Sequence, residues 1–340
     1  MSVNVIGIDI AKSVFQLHGI DSHGNVVLKE RVSRKKFLTV LSNLPKCLIG
    51  MEACSTSNYW GRELTKLGHT VKLISPQYVK PYVKTNKNDS QDAEAICEAV
   101  TRPNMRFVAI KSIEQQDILS LHRVRSRLIS QRTALVNHVR ALLSEYGIVL
   151  PQGITHIRRH LRSILEDTDN ELTSMLREVL YELRDEFLRL DERVKALDHK
   201  LKEVCMYSDA CKRLLEIPGV GPITASALVS SIGNIHQFKN ARHLSAWLGL
   251  VPKQHSSGSK QTLLGISKRG DKYLRKLLIH GARAVLFRYK QASEWMKAIV
   301  MRRGFNKACV ALANKTARIV WALLITGERY QKVSIRSALS

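Results

Sequence analysis

The chain has 340 residues, with 54 Lys and Arg against 29 Asp and Glu, a formal charge of +25. Its 44% hydrophobic content can fill more than one core, which excludes wholesale disorder, and its length suits two or three domains. No long uncharged apolar run occurs: the most apolar stretch, 317–326, contains Arg318 and follows Lys315, so no membrane span is expected.

The N-terminus reads MSVNVIGIDI, with Asp9 inside the apolar run and no basic leader, and is not expected to be a signal peptide. Residues 4–10 read as a strand. Residues 15–19 and 26–31 follow as a hairpin around the turn Ser22-His23-Gly24-Asn25. Residues 47–51 read as a buried strand leading to Glu52, 58–67 as a helix stopped by Gly68, 70–74 as a strand closed by Pro76, and 89–100 as a helix. Strands alternating with helices imply an α/β layered domain over roughly the first hundred residues.

From Glu114 to Tyr146 the period changes to seven, with Leu121, Leu128, Leu135 and Leu142 in one stripe. A second long helix is expected over 170–207. There Leu180, Phe187, Val194 and Leu201 pair with Leu183, Leu190, Leu197 and Val204, four heptads with both core positions apolar. This is a coiled-coil pattern, open between an intramolecular hairpin and a subunit contact. Pro151-Gln152-Gly153 breaks the chain between the two helices.

Residues 211–340 hold 23 basic and 4 acidic residues, a net +19. Such a concentration exceeds what solubility requires and points to nucleic-acid phosphate. Short helices punctuated by Gly and Pro are expected here. IPGVG, with Gly219 and Gly221 ahead of Pro222, has the form of a helix-hairpin-helix, whose glycines can bring backbone N–H groups to a phosphate. The alternative is a tight interhelical turn.

Four carboxylates stand out. Asp9 and Glu52 end strands, and Asp89 and Asp92 lie three apart at a helix start, on one face. Acids so placed can converge only with a counter-charge, and hard oxygen donors without His or Cys favour Mg2+ or Mn2+. Taken singly, each could instead be a cap or an ion-pair partner. Six scattered cysteines with no CxxC pair argue against a zinc site or disulfide framework and fit a reducing cytosol. In WLGLVPKQHSSGSKQTLLGISK, Ser256, Ser257 and Ser259 flank Gly258 in an expected polar loop near Lys253, His255, Lys260, Lys268 and Arg269. Cations there could stabilise a phosphoryl-transfer transition state, or the loop could simply bind phosphate.

The set GIDIAK, GMEAC, NDSQDA, IPGVG and GLVPKQHSSGSK…SKRGDKYLRKLL resembles the bacterial DEDD-type insertion-sequence transposases, the IS110 family and its IS1111 subgroup, across nearly the whole chain. The resemblance implies a RuvC-like (RNase H-like) N-terminal domain at 1–108, a coiled-coil linker at 109–210 and a mostly helical C-terminal transposase domain at 211–340. It implies that Asp9, Glu52, Asp89 and Asp92 form the metal-binding tetrad and that Ser257 is the nucleophile. It further implies a structured bridge RNA pairing with donor and target DNA. The implied oligomer is a dimer or tetramer in which the tetrad of one subunit meets Ser257 of another, in the bacterial cytoplasm at the nucleoid. Gly219, Gly221, Lys253, Lys260, Lys268 and Arg269 are candidate nucleic-acid contacts. The alternative is a metal-dependent nuclease or junction resolvase using water, with the serine loop structural.

Overall fold

The computed structural model describes residues 2–84, 88–257, 260–288 and 293–331. The chain forms two compact units: Met1–Gln116 with Ile232–Gln237, and Asp117–Ser231 with Phe238–Ser340.

In the first unit, strands β1 (Val5–Ile10), β2 (Val14–Ile20) and β3 (Val26–Ser33) form an antiparallel meander. Helix α1 (Phe37–Ser42) leads to β4 (Leu48–Glu52), α2 (Ser57–Lys66) to β5 (Thr70–Ile74), and α3 (Pro76–Val79) to α4 (Asp89–Val100). Short β6 (Phe107–Val108) completes a six-stranded sheet of order β3-β2-β1-β4-β5-β6, with β1, β4 and β5 mutually parallel. The expected strands and helices are present here within two residues at almost every end. β5 and α4 have the expected bounds.

Strand alternation assigns two faces to this sheet. Ile6, Ile8, Phe15, Leu17, Ile49 and Met51 are buried on one, under α1 and α2. Phe15, Phe37 and Trp60 meet edge-on there, with centroids 4.5–5.1 Å apart. The other face carries Val5, Gly7 and Asp9 on β1 and Leu48, Gly50 and Glu52 on β4. Helix α4 lies against it through Ile96, Ala99 and Val100. The two glycines make this approach possible: a Cβ at Gly7 would collide with the Ala93 carbonyl and the Cys97 amide, and one at Gly50 would stand 2.8 Å from Val100 Cβ.

Helices α5 (Ile113–Ser144, in the second unit from Asp117), α6 (Ile154–Glu166) and α7 (Ser174–Tyr207) follow. The heptad residues pack within the chain. Leu128 of α5 meets Leu190 and Val194 of α7, while Val136, Val139 and Leu143 join Leu180, Phe187 and three residues of α6. Here the stripes form a helical hairpin. Asp191 is 3% exposed and holds Arg132, Arg158 and Lys195 at 2.6–3.1 Å. Burial opposes its ionisation, but Lys195 and Arg158 outweigh it and keep the carboxyl below the ordinary range. Helix α6 was not expected, because Pro151-Gln152-Gly153 read only as a break. It turns Ile157, Leu161 and Leu165 into the hairpin core.

Helices α8 (Asp209–Leu215), α9 (Pro222–Ile232) and α10 (Ala241–Trp247) follow, then hairpin β7 (Pro252–Ser257) and β8 (Lys260–Ile266), α11 (Lys272–Phe287), α12 (Glu294–Arg303) and α13 (Phe305–Thr326). By length and composition α13 could cross a membrane. Here it buries Ala308, Cys309, Ala313, Ala317 and Val320 while Asn314 Nδ2 donates to Leu250 O at 3.1 Å, the contacts of a core helix. Buried His122 on α5 hydrogen-bonds Tyr273 Oη of α11 at 3.0 Å and Ser226 Oγ of α9 at 3.1 Å. Burial, with Arg125 nearby, lowers its pKa to about 4, so the ring is neutral at ordinary pH.

Candidate active site

The acids come together because of register and one helix. Ile8 pairs with Met51 in the parallel β1–β4 ladder, so the next residues, Asp9 and Glu52, end adjacent strands on the same face. Two strand residues from Gly7 to Asp9 advance about 6.6 Å. Four helical residues from Ala93 back to Asp89 cover about 6 Å. With Ala93 over Gly7, the first turn of α4 therefore reaches the Asp9 end of the sheet. One carboxylate oxygen each from Asp9, Asp89 and Asp92 lies within 4.8 Å of the others. Asp89 does not cap α4; Asn88 does, its side chain accepting from Ser90 N at 3.1 Å.

Glu52 stands beside this trio as its electrostatic neighbour. Burial first, then the charges of Asp9 and Asp92, raise its pKa above the ordinary carboxylate value. Among the described residues no Lys or Arg pairs with Glu52, Asp89 or Asp92. Asp89 and Asp92 gain from the positive end of α4, but a helix end is a fractional charge. All-oxygen donors at this separation fit a hard divalent cation.

This crowding has a consequence for stability. A carboxyl whose pKa is raised by folding stabilises most below its unfolded value and loses that contribution as pH rises through the folded value. In chelator, Glu52→Gln is therefore expected to melt above the parent protein at neutral pH, the gap closing at acid pH. Adding Mg2+ should raise the melting point of the parent more than that of the variant. Thermal melts across pH check this; a variant that melts lower in chelator contradicts the electrostatic account.

The serines lie on a second element. Residues Ser256 and Ser257 end the exposed strand β7 instead of lying in the expected loop, and Ser257 pairs with Lys260 across the tip. Ser259 and the side chain of Lys260 lie outside the described residues. Strand alternation separates the two serines. Ser256 Oγ accepts from Gln254 Nε2 at 2.9 Å, whereas Ser257 shares its face with His255. The stem is pinned: Ser267 N donates to Val251 O at 2.8 Å, and buried Arg275 Nη1 donates to Leu248 O and Arg269 O at 3.1 and 3.0 Å. A fixed stem thus carries an exposed serine pair.

Two family models match these two regions. One, described as a transposase of the DEDD IS110 type, matches residues 6–148, and the other, the transposase IS116/IS110/IS902 family, matches 211–298. The chain is 48% identical over 329 residues to a probable family 20 transposase of Pseudomonas aeruginosa, covering 95% of this chain and 97% of that one. It is 48% identical over 333 residues to the transposase for insertion sequence element IS1111A of Coxiella burnetii, covering 97% and 92%. It is 42% identical over 335 residues to the transposase for IS1328 of Yersinia enterocolitica, covering 97% and 99%. The chain belongs to the IS110/IS116/IS902 family of transposases. Its similarity to the IS1111A protein supports the IS1111 subgroup.

In this transposase the IPGVG glycines differ from one another. Gly219 has φ +85°, and a Cβ there would stand 2.7 Å from Gly281 O on α11, so that glycine serves close packing between helices. Gly221 faces open space, with nothing within 4 Å of a Cβ. Lys253, Lys268 and Arg269 are exposed, Lys268 in the left-handed region at φ +54°. The buried hydrogen bonds of His122 and, separately, of Arg275 were not expected, since isolated polar residues on helices carry no periodic signal. The shared face of His255 and Ser257 was legible as an i, i+2 pair once a strand was assumed.

Proposed function

We propose that this transposase is an RNA-guided DNA recombinase that cuts and rejoins strands with a metal-holding acidic tetrad and a serine nucleophile. The observation that carries the reading is the convergence of Asp9, Asp89 and Asp92 beside Glu52. The mixed sheet with acids at the carboxyl ends of β1 and β4 supports an RNase H-like, RuvC-like first domain. Bound there by Asp9, Glu52, Asp89 and Asp92, Mg2+ or Mn2+ would neutralise phosphate charge and polarise the scissile phosphorus.

The chain's own residues supply the rest. Ser257 Oγ attacks phosphorus, a P–O bond to serine forms, a deoxyribose oxygen leaves with a proton, and the serine proton is released. The phosphoserine ester conserves bond energy, so a second deoxyribose hydroxyl can reverse the step and rejoin DNA without an external energy source. The exposure of Lys253, Lys268 and Arg269 and the net +19 of residues 211–340 support their contacting phosphate. A protein gripping RNA–DNA duplex by its backbone needs many such contacts and few base-reading motifs, which agrees with guidance by a structured bridge RNA. We assign the protein to the bacterial cytoplasm, at the nucleoid, as a dimer or tetramer in which acids and serine come from different subunits.

The test is to purify the full chain from cells carrying its element, sequence the copurifying RNA, and assay recombination before and after ribonuclease treatment. A single structured RNA is expected, with recombination lost on its removal and restored on its return. Equal recombination without RNA overturns guidance. RNA affinity should also fall steeply with salt; a flat dependence contradicts phosphate contact.

A further inference from the structure

The region 151–210 is net −3, yet its acids and bases are segregated. Helix α6 puts His156, Arg158, Arg159, His160 and Arg162 within seven residues that contain no acid. Arg158 is committed to Asp191 and Arg162 to Glu166. Arg159 is exposed and makes no ion pair among the described residues. His156, Arg159, His160 and Ser163 recur at i, i+3, i+4 and i+7, one face opposite buried Ile157, Leu161 and Leu165.

That face continues into a hollow. A cavity of about 480 Å³ is lined by Arg132, Asn137, Arg140, Gln152 and Gly153 among others, and a second of about 320 Å³ shares Asn137 and Arg140. Arg132 Nη1 is held by Asp191 at 2.6 Å, while its Nε is buried there without a hydrogen-bond partner. Arg140 uses its Nε on Leu150 O at 3.1 Å. The His156 ring lies 3.9 Å from a Cβ position on Gly153, and His160 stacks behind it with centroids 6.2 Å apart and planes 15° from parallel. Three guanidiniums, two amides and an imidazole pair thus lie along one track.

We infer that this track, running from the Arg132–Arg140 hollow along the His156–Arg159–His160 face of α6, is a docking surface for the phosphate backbone of double-stranded DNA outside the reaction centre. Guanidiniums and amides offer donors to phosphate oxygens, and the acid behind the hollow, Asp191, is buried and already held by Arg132, Arg158 and Lys195. No Phe, Tyr or Trp lines the hollow among the described residues, and the two imidazoles stack on each other, so the track suits a duplex backbone better than unstacked bases. DNA is the committed partner because DNA is what a transposase acts on.

The experiment uses the full-length protein and a random-sequence DNA duplex, with affinity measured against salt. Arg159→Gln should lower the log–log salt slope by about 0.9, and Arg140→Gln with Arg159→Gln by about twice that. Removing equal charge from α7, as Lys200→Gln with Lys202→Gln, should leave the slope unchanged. Arg140 also holds a backbone carbonyl, so the exposed Arg159→Gln variant, which touches no fold contact, decides the matter if the double variant melts early. The same titration with an RNA duplex is the second arm. An unchanged slope for DNA with Arg159→Gln overturns the inference, as does an equal fall in the α7 control, or a fall with RNA alone.

Discussion

Replacing one acid by its isosteric amide is expected to stop DNA cleavage. Asp9→Asn should lower strand cleavage by about a thousandfold or more, the scale lost when a preorganised electrostatic group is removed from a transition state. Shape is kept, since Asn fills the same volume at the end of β1. The fold should hold, because the sheet face at Asp9 is crowded with like charge and one fewer relieves it. DNA binding should also survive, since +19 of the +25 net charge lies in residues 211–340. Glu52→Gln should behave alike in cleavage while stabilising the metal-free protein. Cleavage assays with and without excess chelator check this. Full cleavage in chelator, or by Asp9→Asn with Mg2+ present, refutes a metal-dependent acidic site.

The second large effect is at the hairpin. Ser257→Ala removes one exposed hydroxyl from β7, so stability should change by no more than about 0.5 kcal/mol. Strand exchange should nevertheless fall by about 10⁴-fold or more, as when a nucleophile is deleted. Ser256→Ala should cost far less, because Ser256 is engaged with Gln254 on the other strand face. Mixing Asp9→Asn protein with Ser257→Ala protein should restore part of the adduct, since a mixed oligomer holds one intact pairing of acids with serine. No recovery in verified mixed oligomers favours acids and serine acting from one chain. Hydrolysis persisting in Ser257→Ala at the parental rate would favour water as nucleophile.

Much of the first unit was legible because its signals are local. Apolar runs bounded by Gly, Pro and polar turns marked β1, β4, β5 and α4, and the spacing of Asp89 and Asp92 placed both on one helical face. Their meeting with Asp9 was not legible, since it depends on the Ile8–Met51 register and on Gly7 admitting α4, both long-range facts. The heptads of α5 and α7 predicted long helices but not their partner, because an apolar stripe is the same whether its mate is in the chain or outside it. Helix α6 hid behind Pro151 and Gly153. Strands β7 and β8 hid because KQHSSGSKQT lacks apolar alternation; Leu263 and Leu264 beside it are both exposed, at 67% and 53%.

The most direct test is to trap the protein–DNA adduct and map it. Wild-type protein, guide RNA and DNA substrate are incubated with Mg2+, quenched in denaturant, digested with nuclease and protease, and read by peptide mass spectrometry. The account predicts a nucleotide phosphate on Ser257, absent in chelator and absent in Asp9→Asn. An adduct on Ser256 or Ser259, or cleaved DNA with no protein adduct at all, would contradict it.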